Sequence, residues 1–521
     1  MVFDILIKGG IVIDGSSRPS FISDIGIKGK RIEAVGDLSG SSARQTIDAK
    51  GLVISPGFID VHSHSEFTII ADPRAEGKLL QGVTTEINGN CGLSAAPLIG
   101  KAIKQREDDL KELGIKERWK GFDEYFSILE TRGHAINLAT LVGHGNLRAS
   151  VIGFDNRPPS PGEMEKMKSL LIKAVGTGAI GLSTGLIYPP GIYSDTMEIA
   201  ELAKNVRLYT AHMRSEGDRL IEAIEEAVLI GKISGAHVHI SHLKTSGKKN
   251  WGKLDMAFKL IEEAGATCDR YPYTAAGTDL DAVLPAWAYE GGTSEEIKRI
   301  KDISIRDRLR EDIIHAHPEP SYWKGIIVST VCSDKNRWME GRCLSDIADR
   351  LRLEPVDAMF QILIDENLRV GAIFMSMNED NLKRILKKPY TMIGSDSSSR
   401  SIDGITAKGK PHPRGFGTFP RVLDRYVRGG LLSFEEAIHK MTGLPARIFH
   451  LDRRGLLKEG FYADIVIFDP KDIKDKATFK EPFLYPDGIY HVFVNGRLAV
   501  YDGRPTGNHS GEIIKNQRFD L

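Results

Sequence analysis

The sequence predicts an α/β protein: a TIM-like (β/α)8 barrel, a small β-sandwich domain formed from both chain ends, and an insertion on a strand–helix loop. Three observations support this prediction. Strand-like and helix-like segments alternate through the middle of the chain, which is typical of parallel strands joined by right-handed crossovers. Short apolar runs broken by glycines occupy both ends. Residue types that bind metals follow several of the middle strands, as expected where strand ends share one face of a barrel.

The two chain ends have the pattern of short antiparallel strands. An apolar run at residues 5–13 is interrupted by paired glycines, and residues 463–469 repeat the pattern near the other end. Runs this short with glycine turns predict a small sheet. We therefore expect residues 1–55 and 451–521 to form one β-domain beside a barrel at residues 56–450.

The middle of the chain alternates predicted helices with predicted strands. Ser160-Pro161-Gly162-Glu163 has the form of a capping box with proline at the first helical position, and Gly178 ends the helix that follows. Each later helix precedes a predicted strand. These helices are predicted near residues 196–205, 219–230, 254–264 and 381–386. The barrel is the leading architecture for this alternation, and an open doubly wound sheet is the alternative.

Residues 277–345 interrupt the alternation. They hold three of the five tryptophans, together with charged helical stretches. We expect this segment to be an insertion on a strand–helix loop and a candidate lid over the site. The alternative is a surface elaboration without a role in function.

Composition and charge exclude several functional classes. At 521 residues the chain exceeds a single-core domain, and its 41% hydrophobic and 27% charged content is ordinary for a globular protein. Lys+Arg and Asp+Glu both number 70 and no basic block is present, which argues against nucleic acid as a partner. No apolar run approaches the ~18 residues of a membrane span, so we expect no membrane partner.

The four cysteines indicate a reducing compartment. None forms a CxxC pair, and four in a chain of this length do not make a disulfide framework. We therefore expect a cytoplasmic protein with free thiols. A bond between Cys332 and Cys343 is the alternative.

Six residues at predicted strand ends have metal-binding side chains. They are His62, His64, Cys91, His212, His242 and Asp396. Extended chain points residues i and i+2 to one face, so the two histidines of the His-X-His motif converge. A thiolate beside imidazoles suits Zn²⁺. Alone, each residue has an ordinary explanation, such as a core histidine or a buried cysteine, but the set favours a metal site.

Motifs in sequence order carry a family resemblance. They are segment 57–64 with its His-X-His, Gly89-Asn90-Cys91-Gly92, segment 181–185 with Tyr188-Pro189-Pro190, segment 211–217, Ser241-His242-Leu243-Lys244, segment 269–273, Gly394-Ser395-Asp396, and Pro411-His412-Pro413-Arg414. With these motifs the chain resembles the N-acyl-D-amino-acid amidohydrolases (D-aminoacylases) of the metal-dependent amidohydrolase superfamily. The Gly-Asn-Cys-Gly, Tyr-Pro-Pro and Pro-His-Pro-Arg segments are the more specific to this subgroup.

The resemblance implies a tight zinc site and a second, weaker site that shares its cysteine. The tight site would use Cys91, His212 and His242. The weaker site would use His62, His64 and Asp396, with Cys91 as the candidate bridge. In many superfamily relatives a carboxylated lysine bridges the two metals, and the cysteine replaces it in this subgroup.

The resemblance also implies hydrolysis of N-acyl-D-amino acids to a carboxylic acid and a free D-amino acid. Asp396 would accept a proton from the attacking water and return it to the leaving amine. The α-carboxylate of this small-molecule substrate needs a fixed anion site, for which Arg414 offers a bidentate fork. The further donors that the resemblance implies are Tyr188, Lys244 and Tyr271.

Two alternatives stay open at the level of sequence. One is a cyclic-amide hydrolase for hydantoin-like or dihydroorotate-like rings, against which Cys91 and the Pro-His-Pro-Arg segment count. The other is a non-catalytic scaffold on the same fold, which would be expected to lose metal ligands. The stretch after Tyr273 departs from the family pattern, so the preferred side chain and acyl group stay undetermined.

Overall fold

The structure, a computed structural model, describes residues 2–516 and contains strands and helices in regular alternation. The strands are β1 (Val2–Val12), β2 (Phe21–Lys28), β3 (Arg31–Gly36), β4 (Ser42–Asp48), β5 (Val53–Pro56), β6 (Phe58–Asp60), β7 (Val83–Asn88), β8 (Asn137–Thr140), β9 (Val142–Gly143), β10 (Leu182–Gly185), β11 (Leu208–His212), β12 (His237–Ile240), β13 (Thr267–Arg270), β14 (Ala276–Asp279), β15 (Ile326–Thr330), β16 (Gly371–Phe374), β17 (Thr391–Ile393), β18 (Ile465–Phe468), β19 (Ile489–Val494), β20 (Arg497–Tyr501) and β21 (Arg504–Pro505).

The helices connect these strands and cover the central ones. They are α1 (Thr68–Ala71), α2 (Glu76–Leu79), α3 (Lys101–Glu112), α4 (Phe122–Arg132), α5 (His144–Val151), α6 (Pro161–Thr177), α7 (Thr196–Ala203), α8 (Leu220–Ser234), α9 (Leu254–Glu263), α10 (Thr293–Lys301), α11 (Ile303–Ala316), α12 (Pro320–Lys324), α13 (Leu344–Leu351), α14 (Pro355–Asp365), α15 (Glu379–Lys387), α16 (Arg414–Arg421), α17 (Phe434–Met441) and α18 (Gly443–Ile448). Between residues 2 and 516, no helix has both the length and the apolar character needed to cross a membrane.

The two chain ends meet in one nine-stranded sheet. Its order is β21-β20-β19-β18-β5-β1-β2-β3, with β4 paired to β1. The join lies where β18 runs antiparallel to β5, so that Val466 pairs with Ser55. The inward side chains form a separate core in which Ile7, Ile54 and Phe493 are fully buried. The glycine-broken runs at the two ends thus bury their apolar faces against each other.

The central strands are all parallel to their neighbours. One sheet has the order β17-β13-β12-β11-β10-β9, and another has the order β6-β7-β8. Only Leu141 separates β8 from β9, and a parallel bridge between Ser63 and Ser397 connects the segments that follow β6 and β17. Neighbour pairing therefore runs through eight successive strand positions and returns to the first. All the strand ends that carry candidate site residues lie on the same side.

The helices predicted between these strands are present with small shifts in their bounds. Helix α6 begins after Ser160, whose side chain and Glu163 form the expected capping box. The sequence predicts a short strand from Ala179 to Ser183 directly after this helix, but β10 begins only at Leu182, because the Ala179 amide still donates to Ala174 O at the helix end. Local hydrogen bonds at a helix C-terminus therefore delay the strand.

An inserted unit interrupts the alternation after β13. Strands β14, β15 and β16 form an antiparallel sheet, and helices α10–α14 pack with it around a core of its own. The insertion expected at residues 277–345 lies inside this unit, which extends further, to Phe374, because β16 is the strand that pairs with both others. Helices α13 and α14 carry an ordinary amphipathic pattern, so the sequence did not mark them as part of the insertion.

A fully buried ion pair ties the first central strand to the last. The Lys78 ammonium, on α2, lies 2.5 Å from Asp60 Oδ2 at the end of β6. It also donates to Ser395 Oγ at 2.8 Å and to Ser397 O at 3.0 Å, just after β17. Glu86 of β7 lies 3.6 Å away, and burial raises the pKa of its carboxyl. One cation therefore holds three elements together inside the protein.

We predict that Lys78→Met lowers the free energy of unfolding by about 3–5 kcal/mol, because Asp60 then stays buried without a counter-charge. Denaturant unfolding monitored by circular dichroism measures this change. Lys476→Met is the control, since its partner Asp487 is 54% exposed and exposed pairs contribute about 0–1 kcal/mol. Equal, small effects of the two substitutions would show that the buried pair does not hold these elements.

Candidate metal centre

The six candidate ligands come together at the carboxyl ends of the parallel strands. His62 and His64 follow β6, Cys91 follows β7, His212 ends β11, His242 follows β12 and Asp396 follows β17. Their ligand atoms form two groups, each within 4.8 Å, that share the Cys91 sulfur. One group adds His212 and His242, and the other adds His62, His64 and Asp396. Residues up to 334 positions apart in the chain thus converge on one sulfur atom.

The Cys91 thiol is the centre of the cluster. Its Sγ lies 3.3 Å from His62 Nε2, 3.3 Å from His212 Nδ1 and 3.4 Å from His242 Nε2. Burial raises the pKa of the thiol, but the positive charges of these imidazoles outweigh burial and leave the pKa well below its usual value. That charge can come from protonated imidazoles or, once they are neutral, from a metal ion.

The Asp396 carboxylate faces both histidines of the His-X-His motif and an arginine. Its Oδ1 lies 3.1 Å from His64 Nε2 and 3.5 Å from His62 Nε2, and its Oδ2 lies 2.8 Å from Arg414 Nη1. Burial raises the pKa of this carboxyl. The charges of Arg414 and the neighbouring histidines have the larger combined effect and hold the pKa well below its usual range. The group is therefore ionised at neutral pH.

Three of the candidate ligands have a strained backbone. Cys91, His242 and Asp396 have positive φ angles of 53°, 36° and 51°. Residues with a Cβ rarely adopt this left-handed region, and doing so costs of order 1–3 kcal/mol each. The strain turns each side chain inward directly after its strand. Such outliers cluster at functional sites, where the surrounding structure holds them.

Two carboxylates that sequence reasoning missed orient the imidazoles. Asp269 accepts from His62 Nδ1 at 3.1 Å and from the His242 amide at 3.0 Å. Glu216 lies 2.7 Å from His242 Nδ1. Both residues fall inside the matched segments 269–273 and 211–217, which was the available signal. A sequence pattern cannot show that a carboxylate points at a particular ring nitrogen.

The hydrogen-bonding pattern tests whether these residues fit a metal ion. Because Asp269 accepts from His62 Nδ1, the neutral ring directs the lone pair of Nε2 at the Cys91 sulfur. Nδ1 of His212 faces the same sulfur, and its buried Nε2 makes no hydrogen bond to any residue in the described range. Lone pairs that converge on a buried thiolate repel one another unless a cation lies among them. Sulfur and imidazole donors in this number are those that Zn²⁺ binds.

The expected substrate-binding residues lie around the same cluster, but they differ in whether their polar atoms already have hydrogen-bond partners. Tyr271 is fully buried, and its hydroxyl makes no hydrogen bond to the described residues. Arg414 is 6% exposed, and its Nη2 donates to Gly277 O at 3.1 Å. Its Nη1 is close to Asp396, but no acceptor in the described chain lies in line with its hydrogens. Arg414 is thus a buried site residue that pairs with Asp396, and not a solvated surface charge.

Tyr188 and Lys244 already interact with other side chains of the protein. The Tyr188 hydroxyl lies 2.9 Å from Thr278 Oγ1 of the inserted unit, and its ring centroid lies 5.0 Å from that of His212. Lys244 is 3% exposed, pairs with Glu216 and lies 2.8 Å from His242 Nδ1. Tyr188 therefore borders the metal cluster, whereas Lys244 contacts one of the candidate ligands.

Comparison with known proteins places the chain in a family. Residues 45–500 match the amidohydrolase family. The chain is 37% identical to D-aminoacylase and 36% identical to N-acyl-D-glutamate deacylase, both from Alcaligenes xylosoxydans xylosoxydans. Each alignment covers 98% of this chain, with 97% of the first relative and 96% of the second.

A solved structure agrees with the sequence comparison. It is the N-acyl-D-glutamate deacylase of Bordetella bronchiseptica, complexed with zinc and a phosphonate inhibitor that mimics the tetrahedral intermediate of the reaction. It superposes with a TM-score of 0.83 at 34% identity and covers 99% of this chain and all of its own. The chain therefore belongs to the D-aminoacylase family of the metal-dependent amidohydrolases, as its motifs predicted.

Proposed function

We propose that this protein is a zinc-dependent hydrolase that cleaves the amide bond of N-acyl-D-amino acids into a carboxylic acid and a free D-amino acid. One observation carries the proposal: a buried thiolate–imidazole cluster lies beside a buried arginine that pairs with the Asp396 carboxylate. The thiolate–imidazole cluster suits metal-assisted hydrolysis, and the arginine suits a substrate that carries a carboxylate. The D-configuration follows from the relatives, a D-aminoacylase and a deacylase of N-acyl-D-glutamate.

The tight zinc position is assigned to Cys91, His212 and His242, which form one of the two compact groups. The second position is assigned to the other group, His62, His64 and Asp396, with Cys91 shared between them. Zinc bound there would polarise the amide carbonyl and lower the pKa of a water molecule. The zinc in the structure of the Bordetella bronchiseptica relative supports the choice of metal.

Asp396 is the proton carrier. Its carboxylate is ionised, because Arg414 and the histidines hold its pKa low, so it is free to accept the proton that the attacking water loses. The water oxygen bonds to the amide carbon, and the carbon–nitrogen bond then breaks. Asp396 returns the proton to the leaving nitrogen, which departs as the amine of the D-amino acid. The same side chain thus acts first as general base and then as general acid.

Arg414 and Tyr271 form the carboxylate site. In an N-acyl amino acid, one carbon separates the α-carboxylate from the amide nitrogen. Arg414 Nη1 lies 2.8 Å from Asp396, the group that protonates this nitrogen, so the guanidinium is at the matching position. The guanidinium carbon lies 4.7 Å from the Tyr271 ring centroid, which brings the free hydroxyl of Tyr271 to the same region. Charge-assisted bonds from these donors would compensate the carboxylate for its lost water.

The two alternatives explain fewer observations. A hydantoin-like ring has no exocyclic carboxylate and leaves Arg414 and Tyr271 without an anionic partner. A dihydroorotate-like ring has one, and against that ring count Cys91 and the Pro-His-Pro-Arg segment, which are specific to the D-aminoacylase subgroup. A non-catalytic scaffold would not need to keep six ligand residues in two compact groups or the strained backbone at three of them. The zinc and activity measurements below test the scaffold alternative, and an assay of the unmutated enzyme on a hydantoin tests the cyclic-amide alternative.

The surrounding architecture supports the site. The eight parallel strand positions are those of a (β/α)8 barrel at residues 56–450. Residues 2–55 and 451–516 are the described part of the flanking β-sandwich domain, and residues 1 and 517–521 of the expected domain lie outside the described range. The inserted unit, which includes residues 277–345, covers the substrate side as a lid. The four cysteines are free, which agrees with a cytoplasmic location. The partner is a small-molecule substrate, and neither a nucleic acid nor a membrane is required.

We predict that Cys91→Ala lowers bound zinc and abolishes turnover of N-acetyl-D-amino acids, because both metal positions lose their shared sulfur. Elemental analysis and an activity assay measure the two effects. Cys268→Ala is the matched control, since Cys268 is also buried but contacts Thr391 outside the cluster. Full zinc content in Cys91→Ala would show that this cysteine is an ordinary buried residue and not a metal ligand.

Asp396→Asn should keep the shape of the side chain but remove its ability to carry a proton. We expect kcat to fall roughly 10²–10⁴-fold, as when general acid–base catalysis is lost. Zinc at the tight position should remain, because Asp396 is not one of its three ligands. Measurement of both zinc content and kcat checks the assignment, and near-normal turnover would remove Asp396 from the mechanism.

Arg414→Lys should reduce kcat/KM for N-acetyl-D-amino acids by about tenfold or more, since a lysine keeps the charge but loses the fork. The unmutated enzyme should use the neutral amide derivative of the same substrate poorly, and the substitution should change that rate little. Arg421→Lys, on the same helix but bonded to Pro272 and Asp475, is the control. Equal rates for the amide and the free acid in the unmutated enzyme would falsify the carboxylate site.

A further inference from the structure

Strand β14 of the inserted unit runs past the proposed carboxylate site and ends at an acidic residue, Asp279. Gly277 O accepts from Arg414 Nη2 at 3.1 Å, and Thr278 Oγ1 lies 2.9 Å from the Tyr188 hydroxyl. Asp279 is therefore the first residue of β14 beyond the contacts with Arg414 and Tyr188.

The Asp279 side chain projects from the face of β14 that Arg414 contacts. In a strand, residues i and i+2 share a face, so Gly277 and Asp279 project to the same side. A Cβ at Gly277 would lie 3.5 Å from Arg414 Nη2, which identifies this side. The rise of about 3.3 Å per residue places Asp279 about 7 Å further along the strand. The Asp279 carboxylate thus borders the space next to Arg414.

The protein supplies no counter-ion for Asp279. In the described range 2–516 its carboxylate makes no ion pair. Arg106 and Arg369 are close enough to lower its pKa, but both already pair with Asp109, at 3.0 Å and 3.4 Å. Arg369 also pairs with Glu112. The cations around Asp279 are therefore already neutralised by carboxylates of helix α3.

The Asp279 carboxyl lies on the wall of a cleft and not on an open surface. The residue is exposed, yet the surrounding protein removes water from its carboxyl and, together with the charge of Asp109, raises its pKa to about 6. Such a carboxylate is ionised at neutral pH but has lost part of its hydration. A cation that enters the cleft would replace the lost water.

Two further carboxyl groups lie near Asp279 and are protonated at neutral pH. Burial and the charge of Asp279 raise the pKa of Asp281 to about 8. Burial and the charges of Asp281 and Asp279 raise the pKa of Glu296 to about 9. Glu296 is 4% exposed, and its Oε1 has no hydrogen-bond partner among the described residues. The region thus has more carboxyl groups than the protein satisfies, and Asp279 is its ionised member.

We propose that Asp279 selects substrates whose side chain is positively charged, so that the N-acyl derivatives of D-lysine and D-arginine are preferred over neutral and acidic ones. This inference rests on the proposed function, because it concerns the same hydrolysis. It goes further by naming the side chain. The relative that deacylates N-acyl-D-glutamate takes a side chain of the opposite charge.

The reach of a basic side chain matches the position of Asp279. The side chain leaves the carbon that lies between the α-carboxylate, at Arg414, and the amide nitrogen, at Asp396. Strand β14 meets Arg414 through Nη2 and not through Nη1, the nitrogen 2.8 Å from Asp396, so it borders the amino-acid part of the substrate. The four-carbon stem of lysine covers about the 7 Å that separate Gly277 from Asp279 along β14.

Two matched pairs of substrates measure the preference of the unmutated enzyme. Nα-acetyl-D-lysine and Nα-acetyl-D-norleucine share the carbon stem, but only the first carries an ammonium. Nα-acetyl-D-arginine and Nα-acetyl-D-citrulline have nearly the same shape and differ in charge. We expect kcat/KM to be about tenfold higher for the charged member of each pair, as is typical of one charge-assisted contact. N-acetyl-D-glutamate should be the poorest substrate of the set.

Substitutions of Asp279 test whether this residue sets the preference. Asp279→Asn keeps the shape but removes the charge, so the kcat/KM ratio within each pair should fall to about one. Asp279→Glu keeps the charge and should keep the ratio above one. Asp279→Lys should invert the order, so that N-acetyl-D-glutamate is used better than Nα-acetyl-D-lysine. A residue that only stabilised the inserted unit would change the rates on all these substrates by the same factor.

Asp334→Asn is the matched control. Asp334 is also an aspartate of the inserted unit, but it is 85% exposed and pairs with Arg337 at 2.8 Å. Its loss should leave the ratios within both pairs as they are in the unmutated enzyme. Circular dichroism spectra of all variants check that the fold is retained.

The outcomes separate this inference from the proposed function. Ratios of about one in both pairs, with N-acetyl-D-norleucine still hydrolysed by the unmutated enzyme, would overturn the cation preference while the proposed hydrolase stands. A preference that survives in Asp279→Asn would show that Asp279 does not set it. Failure of the zinc-loaded, unmutated enzyme to hydrolyse any of these N-acetyl-D-amino acids would overturn the proposed function itself.

Discussion

The contact between the segments that follow the first and the last parallel strands governs the rest of the structure. The Asp396 amide donates to His62 O at 2.8 Å, and the Ser395 amide donates to Asp60 Oδ1 at 2.8 Å, although these partners are more than 330 residues apart in the chain. Lys78 neutralises Asp60 at the same place. A buried ion pair is tolerated only when every charged atom has its hydrogen-bond partners. This requirement fixes the positions of the two segments relative to each other. That geometry brings Asp396 to the His-X-His motif.

Charge balance is the second constraint, and it acts on the metal cluster. Cys91 and Asp396 place two anions in a buried space, and the histidines and Arg414 surround them with cationic or metal-binding groups. The left-handed backbone at three ligands is unfavourable by itself. It persists because each strand end is held on both sides by its neighbours in the parallel array.

The inserted unit contributes one wall of the candidate site. Gly277 O accepts from Arg414, and Thr278 Oγ1 bonds the Tyr188 hydroxyl, so β14 contacts the proposed carboxylate site directly. The unit has a separate hydrophobic core, and it can change in sequence without disturbing the strand ends that hold the ligands. This separation gives a physical route by which family members with the same metal chemistry can accept different side chains.

The sequence by itself determined the alternation of strands and helices and the positions of the six candidate ligands at strand ends, because hydrophobic periodicity and short motifs are properties of neighbouring residues in the chain. It also located Arg414 within a specific motif. Only the tertiary structure decided which ring nitrogen faces Cys91, that Glu216 and Asp269 stand behind two of the histidines, and that Lys244 is bound to Glu216. It also set the end of the inserted unit at β16. The physical reason is that these contacts join residues that are far apart in the chain. They depend on where each side chain points in the folded protein, and the pattern of neighbouring residues does not determine this.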